Sequence, residues 1–528
     1  MIQSYKKNYK IADSFDTIII GTGMGALTSA VLLAKRGQKV LLLERHYTAG
    51  GFTHIFKRKG YEWDVGIHYI GSMESDSSIL KKLFDYIADK KLEWADMGEV
   101  YDRIVVGDKI YDLVKGVNNF KNKMKEYFPD EKAAIDKYVD LIFQVSKLSK
   151  NFFIEKTLPP LLSTLTGSFL RKPFLKYSRQ TTYEVLKKLT NNEELIKVLS
   201  AQYGDYGLPP KQSSFAMHAT LVRHYFSGGC FPVGGSSQIV EKISEVLHGL
   251  GSAVLVSAEV DQIIVENNTA VGVKMADGKE FRAKNIISNA GLITTYKKLI
   301  PEDVFQKNKL EQHLSKINHS VAHACLYIGF EHSPEELSLP KANYWIYPEK
   351  NSHDENVAKY LKDIKEDFPV VYVSFPAAKD PDWSNRYPSK STIDIITLLP
   401  YEVFEKWEGS RWMKRGEEYN QLKEEIAQRL LKELYKREPQ LEGKVAYYEL
   451  STPLTTQHFV NYEKGEIYGL DHSPERFEQR FLKPSTPIKN FYLTGQDIVT
   501  CGIGGAAFSG VLTASVVLGK NVLNDVMK

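Results

Sequence analysis

A short apolar strand that runs directly into closely spaced glycines constrains this chain more than any other feature. Residues 17–20 read TIII, and the residues that follow form a GxGxxA pattern with Gly21, Gly23, Gly25 and Ala26. In such a pattern the first glycine allows a tight turn, the second lets a pyrophosphate approach the backbone, and the last small residue lets a helix pack closely. We therefore expect a helix that begins at Met24 and ends near residue 35, with its positive N-terminal end facing a diphosphate.

A second strand and an acidic residue extend this motif into a dinucleotide-binding unit. The run KVLLLE ends at Glu44, where a carboxylate can accept hydrogen bonds from a ribose diol and disfavours a 2′-phosphate. Arg45 follows directly, and Gly50 and Gly51 provide a second place where backbone can pass close to a cofactor. A glycine-rich turn without a ligand is the plainer interpretation of the first motif alone, and the pattern does not separate NAD from FAD.

Two distant segments return to the same predicted sheet. Residues 251–291 contain alternating apolar runs with turn signals at ENNT and ADGK, so they predict strands joined by hairpins. The run 285–288 then places Asn289 and Ala290 at the dinucleotide edge. Near the C-terminus, NFYLTGQDIVTCGIGGAAFSGVLTASVVLG predicts a strand, a glycine turn and a helix that begins near Gly504.

The C-terminal segment resembles the flavin segment of the family that contains phytoene desaturases, carotenoid isomerases and amine oxidases. Four blocks are similar to the retinol saturase branch of that family: YEWDVGIHYIG, YGDYGLPPKQSSFAMHATLVRHYFSGGCFPVGGSS, TPLTTQHFVNYEKGEIYGLDH and YLTGQDIVTCGIGGAAFSG. The similarity runs from about residue 15 to the C-terminus and is thinner over roughly 75–195 and 335–445. Animal members of the branch carry an N-terminal membrane-targeting stretch that has no counterpart here, and they tend to have cysteines where this chain reads AGGFTHIFKRKG.

The resemblance implies FAD as the cofactor and suggests roles for particular residues. Asp497, the acid of a T-G-x-D turn that also contains Gly495, would hold the ribityl chain. The helix near Gly504 and Ala506 would place its positive end beside the flavin pyrimidine, where reduced flavin accumulates negative charge. The adenosine side of FAD would lie against the middle segment, where Val260 is a candidate for a backbone contact and a plain β-meander is the alternative.

Motifs and resemblance together predict an α/β fold. A Rossmann-type FAD-binding domain of the glutathione-reductase and amine-oxidase type is expected to carry an inserted α+β substrate-binding domain. The FAD-binding domain would be discontinuous, built from residues 1–75, 226–300 and 480–528. The substrate-binding domain would consist of residues 76–225 and 301–479.

The resemblance also implies a reaction: saturation of one double bond of a retinol-like or carotenoid polyene, with hydride supplied by reduced flavin. A conjugated polyene spreads transient charge along its length, so no strong general acid is required. A carotenoid desaturase or cis-trans isomerase with the same flavin site is a second hypothesis, and a non-enzymatic flavin-bearing lipid carrier is a third. No second dinucleotide-binding glycine motif, which would indicate direct reduction by NAD(P)H, lies between a strand and a helix, so the electron donor stays open.

The stretch EWDVGIHYIG supplies the candidate catalytic residues, His68 and Tyr69, because by resemblance it passes close to the flavin. A histidine in an apolar run is more often packed and hydrogen-bonded than reactive, and Asp64 is expected to orient the turn. The candidate substrate contacts are aromatic or lie on one predicted helix, and a place in the core explains them equally well: they are Tyr203, Tyr206, Met217 and His218.

Composition limits the partners and the location. Lysine and arginine total 69 against 65 acidic residues, so a net charge of +4 gives no reason to expect nucleic acid. The cysteines are far apart, which favours a reducing compartment and neither a disulfide framework nor a metal site. No signal peptide and no apolar run of about 18 or more residues is found, so we expect a cytoplasmic protein.

In residues 151–180, aromatic and leucine side chains alternate with lysine and arginine. This composition favours peripheral contact with the inner face of a membrane beside a substrate gate. A buried cap over a polyene tunnel is the alternative.

Overall fold

The computed structural model describes residues 2–7, 9–12 and 14–527. In chain order the strands are β1 (Ile2–Ser4), β2 (Thr17–Ile20), β3 (Val40–Leu43), β4 (Ile55–Arg58), β5 (Tyr61–Asp64), β6 (Ile70–Gly71), β7 (Trp94–Asp96), β8 (Val100–Val106), β9 (Lys109–Val114), β10 (Gly229–Pro232), β11 (Ala253–Val256), β12 (Val260–Glu266), β13 (Thr269–Met275), β14 (Glu280–Arg282), β15 (Asn285–Ser288), β16 (His323–Phe330), β17 (Asn343–Tyr347), β18 (Val371–Ser374), β19 (Ser391–Leu398), β20 (Val445–Ser451) and β21 (Phe491–Leu493).

The helices, again in chain order, are α1 (Met24–Ala34), α2 (Ile79–Ile87), α3 (Val117–Tyr127), α4 (Lys132–Glu155), α5 (Pro160–Ser178), α6 (Thr182–Lys187), α7 (Glu193–Leu199), α8 (Phe215–Tyr225), α9 (Ser237–Gly249), α10 (Leu292–Thr294), α11 (Glu302–Lys307), α12 (Glu311–Leu314), α13 (His353–Lys362), α14 (Pro376–Lys379), α15 (Trp383–Arg386), α16 (Glu417–Arg437), α17 (Pro453–Val460), α18 (Pro474–Glu478), α19 (Gly502–Leu518) and α20 (Leu523–Val526).

A parallel sheet with the strand order β1-β11-β3-β2-β15-β21 forms the cofactor side of the molecule. Its central strands are apolar at every position because both faces are covered. Ile19 and Leu42 point toward α1, α9 and α19, while Ile18 and Leu41 point toward the antiparallel meander β12-β13-β14. The predicted α/β fold of Rossmann type is confirmed.

Helices α1 and α19 cross closely because glycines meet where they touch. A Cβ atom built on Gly510 would lie 2.6 Å from the Gly25 carbonyl oxygen, and one on Gly25 would lie 2.6 Å from the Gly495 nitrogen. Ser29 Oγ donates to the same Gly25 carbonyl at 2.8 Å. The C-terminal helix begins at Gly502, two residues before the predicted start near Gly504.

A second, mainly antiparallel sheet has the strand order β20-β16-β19-β18-β17-β8-β9, with β17 and β8 parallel. Helix α16 packs on one face and helices α4 and α8 on the other. The strands of the parallel sheet lie within residues 1–75, 226–300 and 480–528, and those of the second sheet lie within residues 76–225 and 301–479. The hairpin β4-β5 differs, because it lies within residues 1–75 yet packs on the second sheet, where Trp63 Nε1 donates to the Ile328 carbonyl oxygen at 3.0 Å.

The crossing of α1 and α19 predicts opposite effects for the same substitution at two helical glycines. Gly510→Ala should lower the free energy of unfolding by about 1–3 kcal/mol, because the new methyl group meets backbone that cannot move aside alone. Gly249→Ala, at the end of α9 where no atom of the described residues lies within 4 Å of the built Cβ, should raise it by about 0.4–1 kcal/mol. Urea unfolding followed by circular dichroism measures the free energy of unfolding of both variants. An equal change in the two variants would show that α1 and α19 do not pack closely at Gly510.

Candidate active site

A cavity of about 1670 Å³ lies between the two sheets. Pockets for one small molecule usually measure about 300–1,000 Å³, so this cavity has room for a cofactor and a substrate together. Most of the residues predicted to bind the cofactor line it: Gly21, Gly23, Met24, Gly25, Glu44, Arg45, Gly50, Gly51, Val260, Asn289, Ala290, Gly495, Asp497, Gly504 and Ala506. Ala26 does not line the cavity, because it points into the core beneath α1.

At the β2 end of the cavity, Glu44 organises the glycine turn. Glu44 Oε2 accepts the Thr22 N–H at 3.0 Å and the Thr22 hydroxyl at 2.7 Å, and Oε1 accepts the His46 N–H at 2.9 Å. Thr22 Oγ1 in turn accepts the Gly50 N–H at 2.9 Å. The carboxylate therefore connects the two glycine turns, and burial raises the pKa of Glu44. Thr22 was missed by sequence reasoning because its position within the motif has no fixed residue type.

The geometry of this end fits a dinucleotide. The first N–H groups of α1 have no side-chain cap, so they are available to an anion. A Cβ on Gly51 would lie 3.1 Å from Gly23 Cα, and a Cβ on Gly23 would lie 2.6 Å from Asn289 Nδ2, so side chains would fill the cradle. Asn289 Oδ1 is buried without a hydrogen-bond partner in the described part of the chain, which leaves it available to a ligand donor.

The turn that contains Gly495 and Asp497 lies against α1 at Gly25. Asp497 Oδ2 accepts the Leu292 N–H at 2.7 Å and Oδ1 accepts the Leu470 N–H at 3.0 Å. Burial raises the pKa of Asp497. Asp497 thus holds two loops together at the cavity wall, and each carboxylate oxygen keeps acceptor capacity for a ligand hydroxyl. Helix α19 begins beside it without a side-chain cap, so its positive end faces the cavity.

His68 lines the cavity and neither of its ring nitrogens has a hydrogen-bond partner among the described residues. Its Nδ1 lies 3.5 Å from Asp394 Oδ2. Burial first, and the charge of Lys379 second, lower the pKa of His68 to about 4, so the ring is neutral near neutral pH. Asp64 does not line the cavity; its Oδ1 accepts the Ser236 N–H at 2.9 Å and so orients the turn.

Tyr69 lines the cavity between two carboxyl groups. Its hydroxyl lies 2.9 Å from Asp102 Oδ2 and 3.1 Å from Asp205 Oδ2. Asp102 is fully buried, and burial raises its pKa to about 6. Asp205 lines the cavity beside Tyr69.

A buried lysine ties this group to the second sheet. Lys379 Nζ donates to the His68 carbonyl at 2.9 Å, to Ser374 Oγ at 2.7 Å and to Asn343 Oδ1. Burial lowers the pKa of Lys379 to about 7, against the opposing effect of nearby carboxyl groups. Sequence reasoning missed Lys379, Asn343 and Asp102. For Asp102 and Asn343 the available signal was a short polar side chain within a largely apolar strand, as in VYDRIVV and ANYWIY.

Aromatic side chains line the rest of the cavity. They include Tyr225, Trp345, Tyr372 and Tyr468. Tyr69 stacks on Tyr225 with ring centroids 4.4 Å apart, and the Trp345 and Tyr372 centroids are 4.5 Å apart. The arrangement forms an apolar chamber that continues from the dinucleotide cleft.

The four predicted substrate contacts separate in the structure. Met217 lines the cavity, whereas Tyr203, Tyr206 and His218 do not. His218 is fully buried; Tyr138 lies 2.8 Å from its Nε2 and Tyr206 lies 3.2 Å from its Nδ1. All three residues are buried in the core instead: His218 lies on α8, whereas Tyr203 and Tyr206 belong to the turn at residues 201–206 that precedes it.

Among the described residues, no helix combines the length and the apolar character needed to cross a bilayer.

Comparison with known proteins places the chain in a family. A family model described as flavin containing amine oxidoreductase matches residues 27–518. The all-trans-retinol 13,14-reductases of Danio rerio and Homo sapiens are each 36% identical; the alignments cover 97% and 99% of this chain and 87% and 88% of the relatives. A Danio rerio protein named inactive all-trans-retinol 13,14-reductase is 34% identical over 100% of this chain and 89% of its own. Prolycopene isomerase 1 of an Oncidium hybrid cultivar is 26% identical over 95% of this chain and 84% of its own.

Solved structures share the fold. Cyclohexylamine oxidase from Brevibacterium oxydans superposes with a TM-score of 0.59 at 14% identity, covering 98% of this chain and 100% of that one. A putrescine oxidase variant gives 0.63 at 14% identity, covering 96% and 99%. The chain belongs to the family of flavin-containing amine oxidoreductases, and it is an FAD-dependent oxidoreductase.

Glu44→Gln should weaken FAD binding by about 10- to 100-fold. The amide nitrogen would face an N–H donor, and losing a hydrogen bond to a charged group costs about 1.5–3 kcal/mol. Glu259→Gln is the matched control, since Glu259 lines the same end of the cavity but is exposed and lies 3.6 Å from Arg45 Nε. Quenching of flavin fluorescence on titration of the apoprotein measures both. Unchanged affinity in Glu44→Gln would mean that the turn holds without the carboxylate.

Proposed function

We propose that this member of the family uses FAD to saturate one double bond of a conjugated polyene of the retinol or carotenoid type. The observation that carries the proposal is the aromatic chamber that continues directly from the dinucleotide cleft. The names of the 36% identical relatives support the substrate class and the direction of the reaction.

The chain's own residues would hold the cofactor along the cavity. The N-terminus of α1 would receive the pyrophosphate, Glu44 the ribose of adenosine, and the backbone at Val260 the adenine side. Asn289 Oδ1 would accept a cofactor donor, and Asp497 would accept a ribityl hydroxyl. When bound, FAD supplies a hydride and its two electrons at N5.

The chamber would position the polyene and exclude water. Stacked rings such as Tyr69 and Tyr225 present flat apolar surfaces that suit an extended planar chain. His68 is neutral and would contribute by position, with its carbonyl held by Lys379. Holding one double bond over the cofactor converts the reaction into an intramolecular step.

Desaturation or isomerisation of a carotenoid is the second candidate, favoured by the likeness to prolycopene isomerase. Desaturation would use oxidised FAD in the same cavity. Isomerisation would use that cavity with no net change in the redox state of FAD.

Anaerobic mixing separates these reactions. Chemically reduced holoenzyme should be reoxidised by retinol or by a carotenoid while the polyene absorption moves to shorter wavelength, because saturation shortens the conjugated system. The flavin and polyene spectra are followed together in a stopped-flow instrument. Reaction of only the oxidised enzyme, with polyene absorption moving to longer wavelength, would establish a desaturase instead. If neither retinol nor any carotenoid tested reacts, the hypothesis of a non-enzymatic lipid carrier is favoured.

We further propose that the substrate enters from an anionic membrane surface, on which α5 rests. Leu161, Leu165 and Phe169 follow one face of α5 and are 72%, 72% and 82% exposed. Lys172 and Lys176 continue that face and are exposed. Lys147 and Lys150 of the adjoining α4 line the cavity, so the apolar face lies next to its mouth. Lysines beside exposed leucines suit the inner leaflet of a membrane, whose lipids are anionic.

Replacing both Leu165 and Phe169 with Asp should reduce binding to vesicles by about tenfold or more, since two apolar side chains no longer enter the interface. The control is Leu361→Asp, because Leu361 is 54% exposed but lies on α13. Sedimentation with phosphatidylcholine vesicles, with and without phosphatidylglycerol, measures the binding. Equal binding of the double variant and the wild type would favour a cap that covers the cavity.

A further inference from the structure

The contact between Tyr69 and two carboxyl groups requires an extra proton. A phenol has one hydrogen, so it can donate to Asp102 or to Asp205 but not to both. The second contact is favourable only when one carboxyl group is itself protonated and donates to the Tyr69 oxygen. The oxygen chain Asp205–Tyr69–Asp102 therefore holds one more proton than a phenol and two carboxylates would.

The surrounding donors decide where that proton resides. Asp102 Oδ1 accepts the Asn343 amide at 2.9 Å, and Oδ2 accepts the Gln202 amide at 2.8 Å. Lys379 donates to Asn343 Oδ1 and so fixes that amide with its nitrogen toward Asp102. These donors stabilise a carboxylate at Asp102. Within the described residues, Tyr69 is the hydrogen-bond partner of the Asp205 side chain, so Asp205 is the member that carries the proton.

The charges around Asp205 agree with this assignment. Burial first, and the charge of Asp102 second, raise the pKa of Asp205 well above its usual value. The other titratable groups that face it are neutral, because burial raises the pKa of each: Tyr206, Tyr225, Tyr347, Tyr372, Tyr468 and Cys501. Burial and the charge of Asp102 together therefore favour a protonated Asp205.

Asp205 lies at the cavity wall beside the N-terminus of α19. It lines the chamber, and its carbonyl oxygen accepts from Cys501 Sγ at 3.4 Å. Cys501 directly precedes α19, whose positive end faces the cavity. Three other acids also line the cavity, but Glu44 and Asp497 belong to the cofactor turns, and Glu259 is exposed beside Arg45. We propose that Asp205 is the acid that protonates the polyene, in a relay with Tyr69 and Asp102.

This inference rests on the proposed function, and its chemistry balances. One carbon of the double bond receives the hydride, with both electrons supplied by the reduced cofactor, which is oxidised. The neighbouring carbon receives the proton from the Asp205 carboxyl group, so the π bond is replaced by two C–H bonds. Asp205 is left as a carboxylate and regains a proton from water when product leaves the cavity. Neutral His68 has no comparable proton to deliver.

Asp205→Asn tests the assignment, because it keeps the shape and removes the acid. Holoenzyme is reduced chemically and mixed with the polyene that reoxidises the wild type. The rate constant of reoxidation should fall by about 10²- to 10⁴-fold, while FAD content and chemical reduction stay unchanged. The wild-type rate constant should decline at alkaline pH as Asp205 loses its proton, and the variant should lose that dependence. Asp354→Asn is the matched control, since Asp354 is also half-buried with a raised pKa but does not line the cavity.

A second measurement needs no substrate. The infrared spectrum of wild-type holoenzyme minus that of Asp205→Asn should contain the carbonyl band of a protonated carboxylic acid at neutral pH, shifted in D₂O. Absence of this band, or full reoxidation rates in the variant, would overturn the role of Asp205. If the band is present but no polyene reoxidises the wild type, the proposed function is wrong, and so is the role of Asp205 as the catalytic acid. The protonation of Asp205 would still be established by the band.

Discussion

The close crossing of α1 and α19 is the constraint on which the cofactor side depends. Because Gly25 and Gly510 bring the two helix backbones together, both N-termini face the same cavity from adjacent positions. The turns at Asn289 and Gly495 then meet the first glycine motif across the sheet. A larger residue at the crossing would separate these parts, and the two positive helix ends would no longer serve one ligand.

A buried lysine performs the corresponding task at the junction with the second sheet. Lys379 joins the backbone after the DVG turn to strands of the second sheet through His68, Asn343 and Ser374. Burying an amino group is costly unless its donors are satisfied, and here three acceptors surround it. The same lysine orients the amide that stabilises Asp102, so the junction between the sheets and the protonation of the chamber depend on one side chain.

Most of the residues predicted to bind the cofactor line the cavity, whereas three of the four predicted substrate contacts do not, and the difference has a physical reason. The glycine motif, Glu44 and the TGQD turn act through local backbone geometry, which neighbouring residues determine. The chamber acids act through contacts between residues far apart in the chain, as with Asp102 and Asp205. His218 illustrates the limit, because a polar residue on a buried helix face has the same pattern whether it faces a ligand or two tyrosines.

The protonated acid also bears on the direction of the reaction. Addition of hydride to a polyene leaves negative charge that an apolar chamber stabilises only through conjugation, so an adjacent neutral acid lowers the barrier to saturation. Removal of a hydrogen from a polyene needs a base in the same place. Because Asp102 is held as a carboxylate next to Tyr69, a second negative charge at Asp205 is disfavoured in the resting chamber. The arrangement of Asn343, Gln202 and Lys379 around Asp102 therefore favours addition of hydrogen over its removal.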